Sequence, residues 1–336
     1  MIGLDLGSQF IKACSIIPKN DGTYIVYASM VSAELPSGNK SVAVGMRNKI
    51  KKLTDQLKVS SNDTVLSAGG TDLIFRDFSF PDSLTGKDLR KAIKADAQNG
   101  ISEKLDNLYY DYQPLPVSSG ENTDFIFTAF PKKIIDQMIS NLSLAELNIK
   151  GVGVDNIALA NSFTAFNTQK ALNSVVVVDI GHETSKIVVI NNGKPIFMKN
   201  AAFGGKFVTQ EIANVYGISY YEAEQIKRQP EIWNNIGLNI KTILKKSSGN
   251  LFEAVSQSIA HCVSKQKISK IDEIFITGGG SILKGINGFM WETLGISTVK
   301  WNPFETDRIK GVFTVEKGFF MPVVLGLALN KEIANV

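Results

Sequence analysis

Apolar and polar positions change period several times along this chain, and one strand–turn–strand pattern occurs twice. Residues 1–17, Met-Ile-Gly-Leu-Asp5-Leu-Gly7-Ser8-Gln9-Phe-Ile-Lys12-Ala-Cys-Ser-Ile-Ile, read as a strand, a turn opening with an acid and a glycine, and a second strand. A hairpin at Pro18-Lys-Asn20-Asp21-Gly22 leads to a third strand over 23–28. From Ser174 the plan returns: a β-branched run, the turn Asp179-Ile-Gly181-His182-Glu-Thr184, a second strand, an Asn191-Asn-Gly193 hairpin and a third strand. A supersecondary unit repeated half a chain apart predicts two halves built alike.

Between the repeats the pattern changes. A loop at Ser37-Gly38-Asn39 precedes a helix over roughly 41–58, with Met46, Ile50, Leu53 and Leu57 as its buried stripe. A buried strand from Asp63 ends in Gly69-Gly70. Residues 71–149 then carry short alternating strands at 73–75 and 125–129, a turn at Pro81 and a helix over 84–99. They also carry a polar loop over 117–123 and a helix over 131–147 with Ile135, Met138, Ile139 and Leu142 inside. This predicts an αβ module inserted into the first half, which resumes over 150–172 with a short strand and a helix capped at Asp155 or Asn156.

The second half opens over 173–207 and is itself interrupted at 208–270. There, helical spacing links Val208, Ile212, Val215, Ala223 and Ile226, then Ile232, Ile236, Ile240 and Leu244, then Leu251, Val255, Ile259 and Val263. Residues 271–315 return to a buried strand that runs into Thr277-Gly278-Gly279-Gly280-Ser281 and a helix start. Residues 316–336 contain a final apolar helix expected to dock on the first half.

The 336 residues, 44% hydrophobic and 20% charged, describe a globular chain able to bury two cores. The net charge of +4 is dispersed; Lys49, Lys51, Lys52 and Lys58 read as the solvated face of one helix, so no nucleic-acid partner is expected. Cys14 and Cys262 have no metal-ligand spacing and sit in apolar segments, which, with no signal peptide before Met1, makes the cytosol the expected compartment. Two histidines make a histidine metal centre or triad an unpromising reading. The longest apolar run, 319–329, is short for a bilayer and broken by Pro322 and Gly326.

A strand-end carboxylate beside a glycine turn is suited to phosphate and its magnesium, and two such turns facing each other would grip a nucleotide. The bare backbone of Gly278, Gly279 and Gly280 can lie against a planar ring or a phosphate, or serve as a flexible turn. Lys12 reads equally as a phosphate partner or a surface strand residue. Glu224 and Lys227, one helical turn apart, share a face, either toward a ligand or as an ordinary ion pair.

The order Asp5-Leu-Gly-Ser, Asp179-Ile-Gly-His-Glu-Thr and Thr277-Gly-Gly-Gly-Ser resembles the two phosphate motifs and the adenosine motif of the actin-like ATPase superfamily. Within it, the chain is most similar to the PilM family of type IV pilus assembly proteins. The resemblance lies in Phe80-Pro81, the run from Leu89 to Gln98, Leu108-Tyr-Tyr-Asp111-Tyr112-Gln113-Pro-Leu, Val154-Asp155-Asn156-Ile-Ala-Leu-Ala, Phe203-Gly-Gly, Ala223-Glu224-Gln-Ile-Lys227 and Gly326-Leu-Ala-Leu. It implies an α/β, actin-like (ribonuclease H-like) duplicated fold, with a 1C-type insertion in the first half and a helical subdomain in the second.

The resemblance also implies ATP between the halves. Asp5 and Asp179 would hold Mg²⁺ through waters, and amides of Gly7, Ser8, Gln9, Gly181 and His182 would cradle phosphates, with Ser8 and Lys12 adding a hydroxyl and a charge. Gly204 and Gly205 would admit the nucleotide closely, Glu224 and Lys227 would meet ribose and adenine, and Gly278, Gly279, Gly280 and Ser281 would close the adenosine side. Relatives position the attacking water with Glu or Gln; here Asp155 and the shorter Asn156 stand at that place, so hydrolysis is expected to be slow or absent. His182 stands where small residues are usual, and is tolerated if only its N–H is used.

The implied partner is the cytoplasmic N-terminal tail of a PilN-like membrane protein, held between subdomains 1A and 1C. Other pilus assembly components and self-association are further expectations, with the inner membrane reached only through partners. Two alternatives are an FtsA-like filament former and a small-molecule kinase of the sugar-kinase branch. The first would carry a basic membrane helix, not expected in a chain stopping at Asn330-Lys-Glu-Ile-Ala-Asn-Val336. The second needs a general-base aspartate, for which Asp155 is the one candidate. A type II secretion component of this fold would continue into a membrane span, and none is expected.

Overall fold

The computed structural model describes residues 1–33, 42–57, 63–115, 121–142, 145–265, 267–312 and 315–329. The loop expected at Ser37–Asn39, residues 117–120 of the polar loop, Lys58 and residues 330–336 lie outside them.

Alternation of small apolar residues builds β1 (Ile2–Leu6), β2 (Phe10–Pro18) and β3 (Tyr24–Ser32) as an antiparallel meander. Helix α1 (Val42–Thr54) leads to β4 (Asp63–Ala68), parallel to β1. Ile50, Leu53 and Leu57 pack on Ile2, Leu4 and Ile11, as the helical stripe predicts.

The inserted module is a three-stranded antiparallel sheet, β5 (Ile74–Pro81), β6 (Leu108–Pro114) and β7 (Asn122–Pro131), with β7 central. Helix α2 (Gly86–Gly100) covers it, placing Ile93 and Ala97 on Phe125, Phe127 and Ala129. Helix α3 (Lys132–Leu142), at the end of the expected 71–149 module, packs on both sides of that boundary, its Ile135 meeting Leu73 and Phe130 of the module. Its Leu142 lies in the core of Ile2 and Leu4, and its Ile135 packs with Ala68. It is the crossover from the module back to β8 (Asn148–Val154), parallel to β4.

Helices α4 (Asp155–Phe166) and α5 (Thr168–Ala171) carry the chain to the second sheet. There β9 (Val175–Ile180), β10 (Ser185–Asn191) and β11 (Lys194–Ala201) repeat the meander. Val176 and Val178 face one core, while Val175 and Val177 face another, so both faces are buried and the run is apolar throughout.

The helical subdomain comprises α6 (Gly205–Tyr216), α7 (Tyr220–Lys227), α8 (Ile240–Ser247) and α9 (Gly249–Ser264). The helical spacing over 208–227 is split at Gly217, whose φ of +64° ends α6; Ser219 and Glu222 then form a reciprocal capping box on α7. Val215 is consequently exposed. Residues 230–232 form a 3₁₀ turn rather than the start of the next helix. Then come β12 (Glu273–Thr277), α10 (Ile286–Leu294) and β13 (Thr298–Lys300).

β14 (Ile309–Val312) already pairs with β3, so the chain rejoins the first sheet ahead of the expected boundary at 315/316. The sheets run β14-β3-β2-β1-β4-β8 and β11-β10-β9-β12-β13. Helix α11 (Pro322–Leu329) lies with α4 between them, joining Val324 and Leu325 to Leu159, Phe163, Val177 and Cys14 in one core. Gly326 sits directly against the Ala158 carbonyl, which lets the two helices touch backbone to backbone. No helix among the described residues is long and apolar enough to cross a membrane.

Candidate functional site

The two meanders direct their β1–β2 and β9–β10 turns toward each other across a cleft of about 660 Å³, within the range of small-molecule sites. The first half contributes Asp5, Gly7, Ser8, Gln9 and Lys12, and Asp155 enters from the start of α4. The second half contributes Asp179, Gly181 and His182. Gly205, Glu224 and Lys227 form the helical wall, and Gly278, Gly279 and Gly280 lie along the remaining side. Most of the residues expected from sequence thus share one cavity.

Three do not line it. Asn156 is fully buried and turns away, donating through Nδ2 to the carbonyls of Ile187 (3.3 Å) and Lys199 (3.4 Å). That corrects its assignment beside the water-positioning site, because Asp155 is the first residue of α4 and the next position rotates toward the second sheet. Ser281 is also buried; its hydroxyl donates to the Gly278 carbonyl (2.7 Å) and holds the glycine turn. Gly204 packs against the His182 carbonyl, where a Cβ would collide, so it admits a protein turn rather than a ligand. The same contact seats α6: Gly205 N donates to Gly181 O (2.9 Å) and Lys206 N to His182 O (2.8 Å).

Glu224 and Lys227 pair at 2.6 Å, and Lys227 Nζ also donates to Thr209 Oγ1 (2.8 Å) and Gly205 O (3.1 Å). The pair therefore fastens α7 to α6 as well as facing the cleft. Burial resists ionisation of Glu224, but hydrogen bonds from Lys227 and Thr209 outweigh it and hold its carboxyl below the usual range. Burial, then the Lys227 charge, pulls His182 below its ordinary 6.5, so the imidazole meets the cleft neutral at pH 7.

The floor carries a residue the sequence reading missed. Lys12 Nζ pairs with Asp5 Oδ2 at 2.5 Å, and Ser67 Oγ donates to Asp5 Oδ1 at 3.1 Å. On the other side Lys186 Nζ donates to Asp179 Oδ2 at 3.0 Å and lies 3.5 Å from Asp155 Oδ2. Lys12 is the cross-strand partner of Asp5, and Lys186 that of Asp179. Each lysine follows its aspartate at the same offset, 5 to 12 and 179 to 186, and comparing the repeats position by position would have exposed it. Gly69 and Gly278 make room here: a Cβ on either would run into the carboxylate of Asp155 or Asp179 respectively.

Burial opposes charge on Lys186, but Asp179, Asp155 and Asp5 outweigh it and raise its pKa. Burial likewise opposes ionisation of Asp5, and is outweighed by Lys12 and then Lys186, so its pKa falls. For Asp155 burial wins over Lys186, with the Asp5 charge adding to it, and the pKa rises; its Oδ1 is buried without a protein partner.

These features fit a nucleotide: opposed glycine turns, a cavity of suitable size and lysines at its floor. The expected magnesium position at Asp5 and Asp179 fits less well. Each of these carboxylates already holds an ammonium.

The family model for the type IV pilus assembly protein PilM matches residues 3–331. A solved PilM–PilN type IV pilus biogenesis complex superposes with a TM-score of 0.80 at 21% identity, covering 98% of this chain and 97% of that one. The ethanolamine utilization protein EutJ from Carboxydothermus hydrogenoformans superposes at a TM-score of 0.55 and 16% identity, covering 98% and 88%. EutJ of Salmonella typhimurium strain LT2 is 26% identical over 140 residues, 41% of this chain and 45% of that protein, so the chain spans under half the length of this curated relative. The duplicated architecture is actin-like, and the chain belongs to the PilM family of type IV pilus assembly proteins.

Proposed function

We propose that this chain is an ATP-binding, actin-like scaffold of the pilus assembly platform at the inner membrane. The observation that carries the reading is the pair of opposed turns, Gly7–Gln9 and Gly181–His182, facing one cleft with Gly278–Gly280 beside them. Backbone amides of these turns would hold the phosphates, with Lys12 and Ser8 beside them. Glu224 and Lys227 would hold the sugar and base side. Bound ATP would supply contacts shared by both halves and so favour their closed arrangement.

Hydrolysis takes a minor part in this reading. With Asn156 directed into the second sheet, Asp155 is left as the candidate base at that place, and its carboxylate is engaged by the Lys186 ammonium 3.5 Å away. Binding rather than turnover would be the working event.

The partner we infer is the cytoplasmic N-terminal tail of a PilN-like membrane protein, seated between the first sheet and the inserted module. The similar solved structure is a PilM–PilN type IV pilus biogenesis complex, which supports a PilN-like partner. Such a partner would keep the chain at the cytoplasmic face of the inner membrane. If ATP changes affinity for the tail, the tail must change affinity for ATP by the same factor.

The test is calorimetric and thermal titration with ATP. At about a hundred times its Kd, ATP should add about 2.7 kcal/mol of stability. Lys12→Met, which removes one charged phosphate contact, should weaken binding about 10- to 100-fold. No thermal shift at millimolar ATP would overturn the nucleotide reading. A tail peptide whose affinity ignores ATP would overturn the coupling.

A further inference from the structure

The floor of the cleft holds three aspartates and two lysines, and the lysines are not equivalent in what they leave open. Among the described residues Lys12 pairs with Asp5 alone. Lys186 stands between Asp179 and Asp155, at 3.0 and 3.5 Å, with its side chain 9% exposed. It rises from the interior of β10, opposite Asp179 in register, so the backbone ladder fixes its origin. A divalent magnesium ion demands near-octahedral oxygen ligands and retains several waters. Here the space between two of the carboxylates is taken by a tethered ammonium.

We propose that the Lys186 ammonium is the resident cation of this cleft, standing in place of a divalent metal, so that a nucleoside triphosphate binds here without magnesium. This rests on the nucleotide reading above for its ligand, but the placement of the cation does not. One observation carries it independently: Lys186 bridges carboxylates from different halves, Asp155 and Asp179. A divalent ion could take this place only by displacing the ammonium from both Asp179 and Asp155. A divalent ion entering beside it would meet a like charge at close range.

The consequence is a site that responds to nucleotide concentration while ignoring magnesium concentration. Lys186 lines the cleft as well, so its remaining N–H capacity faces the phosphates that the two turns would hold.

Two measurements test this on the full chain. First, Mn²⁺ is titrated into nucleotide-free protein and followed by electron paramagnetic resonance. Wild type should leave Mn²⁺ free, while Lys186→Ser, which frees Asp155 and Asp179, should bind it. Mn²⁺ bound by wild type as tightly as by Lys186→Ser would overturn the proposal. Second, the Kd for ATP is measured in EDTA and in millimolar Mg²⁺. The wild-type value should differ by less than about threefold, and that of Lys186→Ser should rise about tenfold or more in EDTA and recover with Mg²⁺. A wild-type loss of about tenfold or more in EDTA would overturn it. If Lys186→Ser does not fold, both wild-type measurements still decide. If ATP binds in neither buffer, the nucleotide reading fails, and the Mn²⁺ experiment judges the cation assignment by itself.

Discussion

Lys186→Met should lower the unfolding free energy by about 3–5 kcal/mol at pH 7.5, the cost of stranding a buried charge by deleting its partner. Methionine retains the stem but leaves Asp179 and Asp155 facing each other without their shared ammonium. The loss should depend on pH in a defined direction. Asp5, whose folded pKa lies below the ordinary 3.8, contributes stability above that value and loses it as pH falls through the folded pKa. Lys186, whose folded pKa lies above the ordinary 10.5, contributes fully below that value and loses its contribution as pH rises through the folded pKa. Near neutrality both contributions are present, so the deficit of Lys186→Met should be largest there. It should shrink toward pH 5, because Asp155, whose pKa burial already raises, can take up a proton once its cation is gone. Urea unfolding of wild type and variant at pH 7.5 and 5 reads both effects. A deficit under about 1 kcal/mol, or one that grows on acidification, would contradict the account.

Gly326→Ala should be nearly as damaging, costing about 3 kcal/mol, the upper end of ordinary overpacking. The added methyl would enter the Ala158 carbonyl, which is backbone inside α4 and cannot swing aside. Relief requires α11 to move from α4, opening the core that Val324, Leu325, Leu159 and Phe163 share between the two sheets. Gly288→Ala in α10 is the control: nothing lies within 4 Å of its Cβ position. There the helix preference for alanine over glycine should give a gain of about 0.5–1 kcal/mol. The same urea series, read by far-UV circular dichroism, separates the two. Equal responses at Gly326 and Gly288 would refute backbone contact as the cause.

Local chemistry made much of this protein legible in its sequence. The acid-glycine turns at Asp5 and Asp179, the hairpins at Gly22 and Gly193, and the buried β-branched runs around them each follow from short-range rules of turn and strand. Their repetition disclosed the duplicated architecture, and the triple glycine completed the cleft. Even the split between α6 and α7 was written locally, in Gly217 followed by the Ser219–Glu222 capping box, although helical spacing on both sides concealed it. Three matters required the folded chain. Helix α3 carries an apolar stripe that would suit either neighbour, and only the folded chain shows it packed on both while crossing over to β8. Asn156 and Asp155 are adjacent, so which one faces the cleft depends on how α4 is rotated between the sheets. Lys186 sits in a strand where a lysine would ordinarily be solvated, and its role appears only when β10 is set in register with β9 and Asp155 arrives from the other half.

The sequence by itself thus determined the strands, the turns, the duplication and the residue types around the cleft, because those depend on periodicity and backbone preference within a few residues. Tertiary structure decided which side chains face the cavity and which charges neutralise one another. The rotation of α4 and the meeting of Lys186 with Asp155 arise between segments brought together only by the folded chain, and no local preference encodes them.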